Sequence, residues 1–551
     1  MGDATDGARL SVEGGRALGI TRRALLGGIG ASAAGAALAW GLPSGVRAAA
    51  PPGGTLTYGM SLDVDETLDP QVTNWISVIR VTSNICESLV LQPVMGRFVP
   101  GLAESWQVAP DAKTYTFKLK RGVSFHDGTP FTAEAVRFTL DRVVDPATKA
   151  GASHDALGPY DHTDVVDDHT ARVVMKQGFA PLLGSLATGA LGIVSPDAVK
   201  KMGPAGFARH PVGTGPFMFK EWVAQDHITV VRNPAYKWGS SYYKHSGPAY
   251  LDQMIYKVIL EPAVRTGTLK SGETQYIDDV DVGQYDALRH DGRVVVIDQG
   301  QTGSGETILL NTSTGPTADP QVRVAIEYAI DREGLNQSVY HGLNKVAWSP
   351  LMRPTFGYDP ATEKMYGYNP DKARAALDAA GWKAGAGGVR EKNGEKLTIA
   401  WPIIGRPTDK AIAESVQASL QAVGIDVQVT PLERAAYYDL VRSNRYHFNL
   451  MWFSSGDPDV LRTLFHSSNV TAFNRAKYQV PEVDKMLDDA VATSVPAARA
   501  QLYARIQQRV LQDAAVVPMV DTITHDAKRA SLRGEHLDAL ATTAWFYDAQ
   551  V

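Results

Sequence analysis

Residues Pro100 to Leu140 read PGLAESWQVAPDAKTYTFKLKRGVSFHDGTPFTAEAVRFTL, and this stretch decides the fold. Tyr115, Phe117 and Leu119 alternate with Thr114, Thr116, Lys118 and Lys120, the period-2 pattern of a strand with one wet face. Pro110-Asp111 marks the turn before it, and His126-Asp127-Gly128 supplies turn chemistry after it. Thr132 then stands where an N-cap belongs, with Glu134 in the first turn to meet the helix dipole. Val136, Leu140, Val143 and Val144 continue at helical spacing. The physics of this stretch gives a strand-turn-helix unit and no chemistry.

The runs Gly101-Leu102-Ala103-Glu104-Ser105-Trp106, Lys113-Thr114-Tyr115-Thr116-Phe117, Leu119-Lys120-Arg121-Gly122-Val123, Phe125-His126-Asp127-Gly128 and Ala133-Glu134-Ala135-Val136 stand at fixed spacing. Together they resemble the signature region of the bacterial extracellular solute-binding proteins of family 5, the dipeptide- and oligopeptide-binding type. His210-Pro211-Val212-Gly213-Thr214-Gly215-Pro216-Phe217 matches a second family turn. The resemblance implies an α/β fold of the periplasmic-binding-protein type (type II, cluster C): two large lobes, a hinge and an extra inserted lobe. It identifies the scaffold and leaves the ligand open.

Outward from the signature, composition describes an ordinary globular chain. It has 551 residues, 44% hydrophobic and 21% charged, enough for two or three lobes with real cores. The single cysteine, Cys86, has no partner for a disulfide and sits in an apolar run that suits buried packing. Residues 1–48 read as a twin-arginine signal peptide: Thr21-Arg22-Arg23-Ala24-Leu25-Leu26, a Gly/Ala-rich apolar run to Leu42, and small residues around Val46-Arg47-Ala48. Cleavage is expected after Ala48, with no cysteine there to carry a lipid. The run is too short and too rich in Gly and Ala to span a membrane well. Gly28-Ile29-Gly30-Ala31-Ser32-Ala33 mimics a dinucleotide loop, but no strand precedes it. The leader holds five arginines against three acids, which takes the formal charge from −5 to −7 for the remainder. An acidic exported protein has no electrostatic footprint for nucleic acid.

By the same resemblance, residues 49–83, 209–304 and 523–551 form lobe Ia, residues 84–208 lobe Ib, and residues 305–522 lobe II. Crossovers near Thr302 to Glu306 and Asp521 to Thr524 are expected to be the hinge strands. In lobe II, Val322 to Arg332 reads as one densely apolar helix, and Asn369-Pro370-Asp371 opens another with cap and N1 proline. Leu397 to Trp401, Ile425 to Val429 and Phe448 to Trp452 are strands separated by helices, an alternation that predicts a mainly parallel sheet.

Catalysis leaves no usual trace. There is no H-E-x-x-H, P-loop, G-x-S-x-G or C-x-x-C, and His126, His154, His162, His169 and His210 read as turn or surface residues. No catalytic residue, metal site or cofactor is expected. Binding leaves more. Ile404-Gly405-Arg406-Pro407 resembles the segment in which dipeptide binders hold the ligand carboxylate, with Arg406 on the motif's arginine. A planar guanidinium donates two parallel hydrogen bonds to such a group, although a salt-bridge arginine reads the same. Trp452-Phe453-Ser454-Ser455-Gly456-Asp457-Pro458-Asp459 resembles the strand-end motif in which dipeptide binders carry an aspartate for the ligand's α-ammonium. Here Phe453, Ser454 and Ser455 replace it; Asp457 and Asp459 match the turn, where a structural role competes. Asn74 and Trp75 follow Leu68-Asp69-Pro70-Gln71 in a loop that lines the cleft in the family, and Trp75, Trp401 and Trp452 are candidate stacking faces. The expected partners are a small-molecule or peptide-like ligand and an inner-membrane ABC permease with its ATPase, served by a periplasmic monomer. An exported hydrolase on the same scaffold and a ligand-loaded partner of a chemoreceptor are the rival readings.

Overall fold

In the computed structural model the described residues are 53–551 apart from Asp65 and Asn74, and the expected leader lies outside them. The signature stretch forms strands Ala103–Val108 and Thr114–Leu119, which join Thr170–Met175 and Tyr160–Asp167 in one antiparallel sheet. Tyr115, Phe117 and Leu119 point into the core, as their alternation predicts. Helix Ala133–Val144 follows with Thr132 at its N-cap. The Thr132 hydroxyl makes no capping bond, and Glu134 instead pairs with Arg137 one turn on.

The turn at His126 is a docking point. The His126 ring Nε2 lies 3.0 Å from the Gly215 carbonyl, and its backbone N–H donates to the Gly213 carbonyl at 2.9 Å. His126 is a turn residue, as its sequence reads, but a half-buried one: burial pushes its imidazole down to about 4, and it is neutral at pH 7. Glycine is obligatory on the other side, since a Cβ at Gly213 or Gly215 would meet the Ile85 carbonyl oxygen at 2.2 or 2.6 Å. The two signature motifs are the two halves of one backbone contact.

A seven-stranded sheet runs in the order Val294–Gly300, Ile523–Arg529, Tyr276–Ile277, Thr55–Met60, Gln253–Val258, His227–Arg232, Phe217–Val223. Leu56, Tyr58 and Met60 of its middle strand are buried, and Cys86 lies in the same core. The third large sheet orders Lys345–Val346, Val516–Asp521, Gly303–Leu310 and Phe448–Ser454, and Thr398–Ile404 with Asp426–Leu432 form a separate parallel pair beside it. Hydrogen bonds between His447 and Ala400 make that junction.

This third sheet is not mainly parallel. Only Thr398–Ile404 and Asp426–Leu432 run parallel; the other pairings are antiparallel. The reason is topological: Gly303–Leu310 enters the lobe and Val516–Asp521 leaves it through the same neck, so neighbours must oppose. The single helix expected over Val322 to Arg332 is two, Pro320–Ala329 and Arg332–Tyr340. Ile330 is extended between them, and the Asp331 carboxylate accepts the Gly334 N–H. The neck is narrow: Gln301 and Thr302 cross in one direction, Thr522 in the other, and the Gln301 N–H donates to the Thr522 carbonyl at 2.9 Å. Among the described residues no helix is long and apolar enough to cross a membrane.

Candidate functional site

Arg406 sits where strand Thr398–Ile404 ends and helix Pro407–Gln421 begins, the first-turn Pro407 presetting the helix entry. Its side chain is 66% exposed and held side-on: Nε donates to Asp409 at 3.1 Å and Nη2 lies 3.0 Å from the other carboxylate oxygen. Asp409 is buried and acts as the anchor. This grip uses one edge of the guanidinium and leaves the Nη1/Nη2 fork facing outward, the edge that takes a carboxylate bidentately.

Sequence reading missed Glu306, which lies on strand Gly303–Leu310 and feels the charges of Arg406 and Asp409. The pairing of that strand slips between Glu306 and Thr307, a bulge that re-aims the side chain. Burial pushes the Glu306 carboxyl up to about 7; the Tyr340 hydroxyl and Arg406 oppose the shift, while the Asp409 charge adds to it. Tyr340 faces Glu306, yet its hydroxyl makes no hydrogen bond of good geometry. The signal was available, since Glu306 is the lone acid in an otherwise uncharged strand. Arg406 thus pairs with one buried carboxyl, Asp409, and its charge acts on a second, Glu306, which burial raises to about 7.

The remaining candidates divide. Trp452 is 49% exposed on strand Phe448–Ser454, and Trp75 is 62% exposed at the head of helix Ile76–Thr82. Ser454 pairs with Gly303 at the neck. These three, with Arg406, have surface to offer a ligand. Trp401 does not: it is fully buried, edge-on to Phe448 in the lobe core. Phe453 stands edge-on to Phe473 and packs against the lobe's second core, so it offers little face. Ser455 donates to the Asp457 carbonyl and accepts the Asp457 N–H, closing its own turn. Asp457 spends both oxygens on buried Arg499, at 2.6 and 2.7 Å, and is a structural counter-ion. Asn74 lies outside the described residues. Among the described residues no group of three or more His, Cys, Asp or Glu is placed to hold a metal ion.

The model of the family described as "Bacterial extracellular solute-binding proteins, family 5 Middle" matches residues 97–473. The chain is 31% identical to the probable D,D-dipeptide-binding periplasmic protein DdpA of Escherichia coli K12 over 486 residues, covering 86% of this chain and 89% of the relative. It is also 31% identical to the glutathione-binding protein GsiB of the same strain, covering 82% and 86%. Among solved structures it resembles NikA from Brucella suis in complex with Fe(III)-EDTA, at 26% identity and TM-score 0.77, covering 90% of this chain and 99% of that one. The periplasmic binding protein DppA from Helicobacter pylori in complex with the peptide STSA gives 25% identity and TM-score 0.70, covering 91% and 98%. With its signature contact, its two-segment neck and a family match over most of its length, the chain belongs to the bacterial extracellular solute-binding proteins of family 5.

Proposed function

We propose that this family 5 protein captures a small anionic or polar solute, or a peptide blocked at its amine, with the solute's acid on Arg406. As a solute-binding protein it closes its lobes about the neck and delivers its cargo to an ABC importer. The observation that carries the ligand reading is the side-on grip of Asp409, which leaves the Nη1 side of a 66% exposed Arg406 free for a solute acid. The missing ammonium anchor supports the other half. Ser454 and Ser455 replace the aspartate, and Asp457 is already committed to Arg499. An ammonium enclosed without a counter-charge would cost several kcal/mol, roughly the desolvation of an unpaired ion. Two similar solved proteins, bound to Fe(III)-EDTA and to agropinic acid, support this reading. Export through Arg22-Arg23, cleavage after Ala48 and a monomeric state in the periplasm belong to the same proposal.

Calorimetry with free and N-acetylated dipeptides, and with any solute that co-purifies, tests it. Free dipeptides should bind poorly. Arg406→Ala should cost about 2–5 kcal/mol in affinity for the true solute if closure buries the pair. Tight binding of free dipeptides, or full affinity in the variant, overturns the reading.

A further inference from the structure

Seven arginines are buried among the described residues. Six have obvious partners: Arg80, Arg332, Arg390 and Arg499 meet carboxylates, while Arg265 and Arg323 donate mainly to backbone carbonyls. Arg475 is the exception. It is 8% exposed, yet its guanidinium has no salt bridge and no hydrogen bond to any described residue.

Its surroundings do not neutralise it. The guanidinium carbon lies 5.9 Å from the centre of the Phe473 ring, at the outer limit of a cation–π contact. The other groups that feel its charge are the buried phenols of Tyr437 and Tyr446 and a second cation, Lys477. Burial, and next the Arg475 charge, lower the Lys477 pKa; its ammonium donates to the Val470 carbonyl. The position is rigid. The Tyr446 hydroxyl donates to the Arg475 carbonyl at 2.8 Å, and Asn474 pins the loop by bonding both the N–H and the carbonyl of Tyr478. None of the three guanidinium nitrogens is among the sealed polar atoms, so each keeps some contact with water although the residue as a whole is buried. Asn449 opens on the same surroundings, with Nδ2 donating to Tyr437 and its side-chain oxygen unpartnered.

A largely buried cation with no protein partner, whose nitrogens only water reaches, is stabilised when an anion arrives on it. We infer that Arg475 is a second anion-binding residue of lobe II, taking a carboxylate group of the solute on its planar fork. The inference deepens the reading of lobe II as the solute-binding face by giving the solute a second acid group, and it uses a residue independent of Arg406.

The test compares the full mature chain with Arg475→Met, Arg475→Lys and, in parallel, Arg406→Ala. Calorimetry uses succinate, glutarate, citrate and inorganic phosphate as probes, and thermal melting is recorded without them. The expected result is binding of a carboxylate probe that falls tenfold or more in Arg475→Met and less in Arg475→Lys, with Arg475→Met melting above the wild type once the unpaired charge is gone. Binding of phosphate alone would make the site one for free inorganic anion and would overturn the assignment to the solute. Binding of no probe to the wild type overturns it too, as does an Arg475→Met variant that melts lower with unchanged affinity. Loss in Arg406→Ala alone refutes Arg475 and spares the proposed function; loss in Arg475→Met alone does the reverse.

Discussion

Replacing Glu306 by Gln should stabilise the protein by an amount that grows between pH 4.5 and 7 and levels off above. Burial raises this carboxyl from 4.5 to about 7, so between those values the folded state binds a proton more tightly than the unfolded chain. Stability contributed at this position is present below pH 4.5 and is lost as pH rises through 7. The shift corresponds to roughly 3 kcal/mol at pH 8, at about 1.4 kcal/mol per unit. Gln keeps the shape and never ionises, so the variant escapes this loss. Urea unfolding at pH 5, 6, 7 and 8 measures it: the stability of Glu306→Gln minus wild type should be about 1 kcal/mol at pH 5, climb mostly between pH 5 and 7, and level off near that figure. Glu327, pushed up to about 7, and Asp521 and Asp459, pushed up to about 6, also erode stability in this window. They act equally in both proteins and cancel in the difference. A constant offset at pH 5 and pH 8 would refute the reasoning, because it would mean that Glu306 does not titrate inside the fold.

Further outcomes follow from the leader, the neck and the two tryptophans. Changing Arg22 and Arg23 together to Lys should strand the protein in the cytoplasm, while N-terminal sequencing of the exported form should begin at or near Ala49. Saturating solute should compact the molecule in small-angle scattering at unchanged circular dichroism; no compaction would count against motion about Gln301–Thr302 and Thr522. Trp401→Ala should cost about 3–5 kcal/mol of stability as a core deletion, whereas half-exposed Trp452 should tolerate Ala and change only solute affinity.

What could be read from the sequence depended on how local the cause was. The signature strand and its turn were legible because alternation and turn residues act within a few positions. The same rule would have placed Trp401 correctly: it shares its phase with Ile399 and Ile403, all buried, and the tryptophan's chemistry drew the reading toward the ligand instead. The Arg406–Asp409 grip was legible in principle, since residues three apart at a helix start face each other. Strand direction in lobe II was not, because Gly303–Leu310 and Val516–Asp521 meet across most of the lobe's sequence. Nor was Arg475, which meets Tyr437 and Tyr446 from separate segments of the chain as well as its own neighbour Phe473.

These long-range placements also explain why binding at this site should be coupled to protons. Arg406 is one cation shared between Asp409, which holds it, and Glu306, which its charge helps to ionise. A solute acid arriving on the free fork would make three anions around one guanidinium whenever Glu306 is charged. The site can accept that acid in two ways: Glu306 takes up a proton, which its pKa of about 7 makes cheap at neutral pH, or a second cation shares the load. Glu306 also stands on the strand that begins at Gly303, directly after the neck, while Asp521 ends the returning strand and is held by Arg353. If the solute's acid sits on Arg406 as proposed, the carboxyl that opposes it lies on the strand that starts directly after the neck, so solute affinity should rise as pH falls through 7.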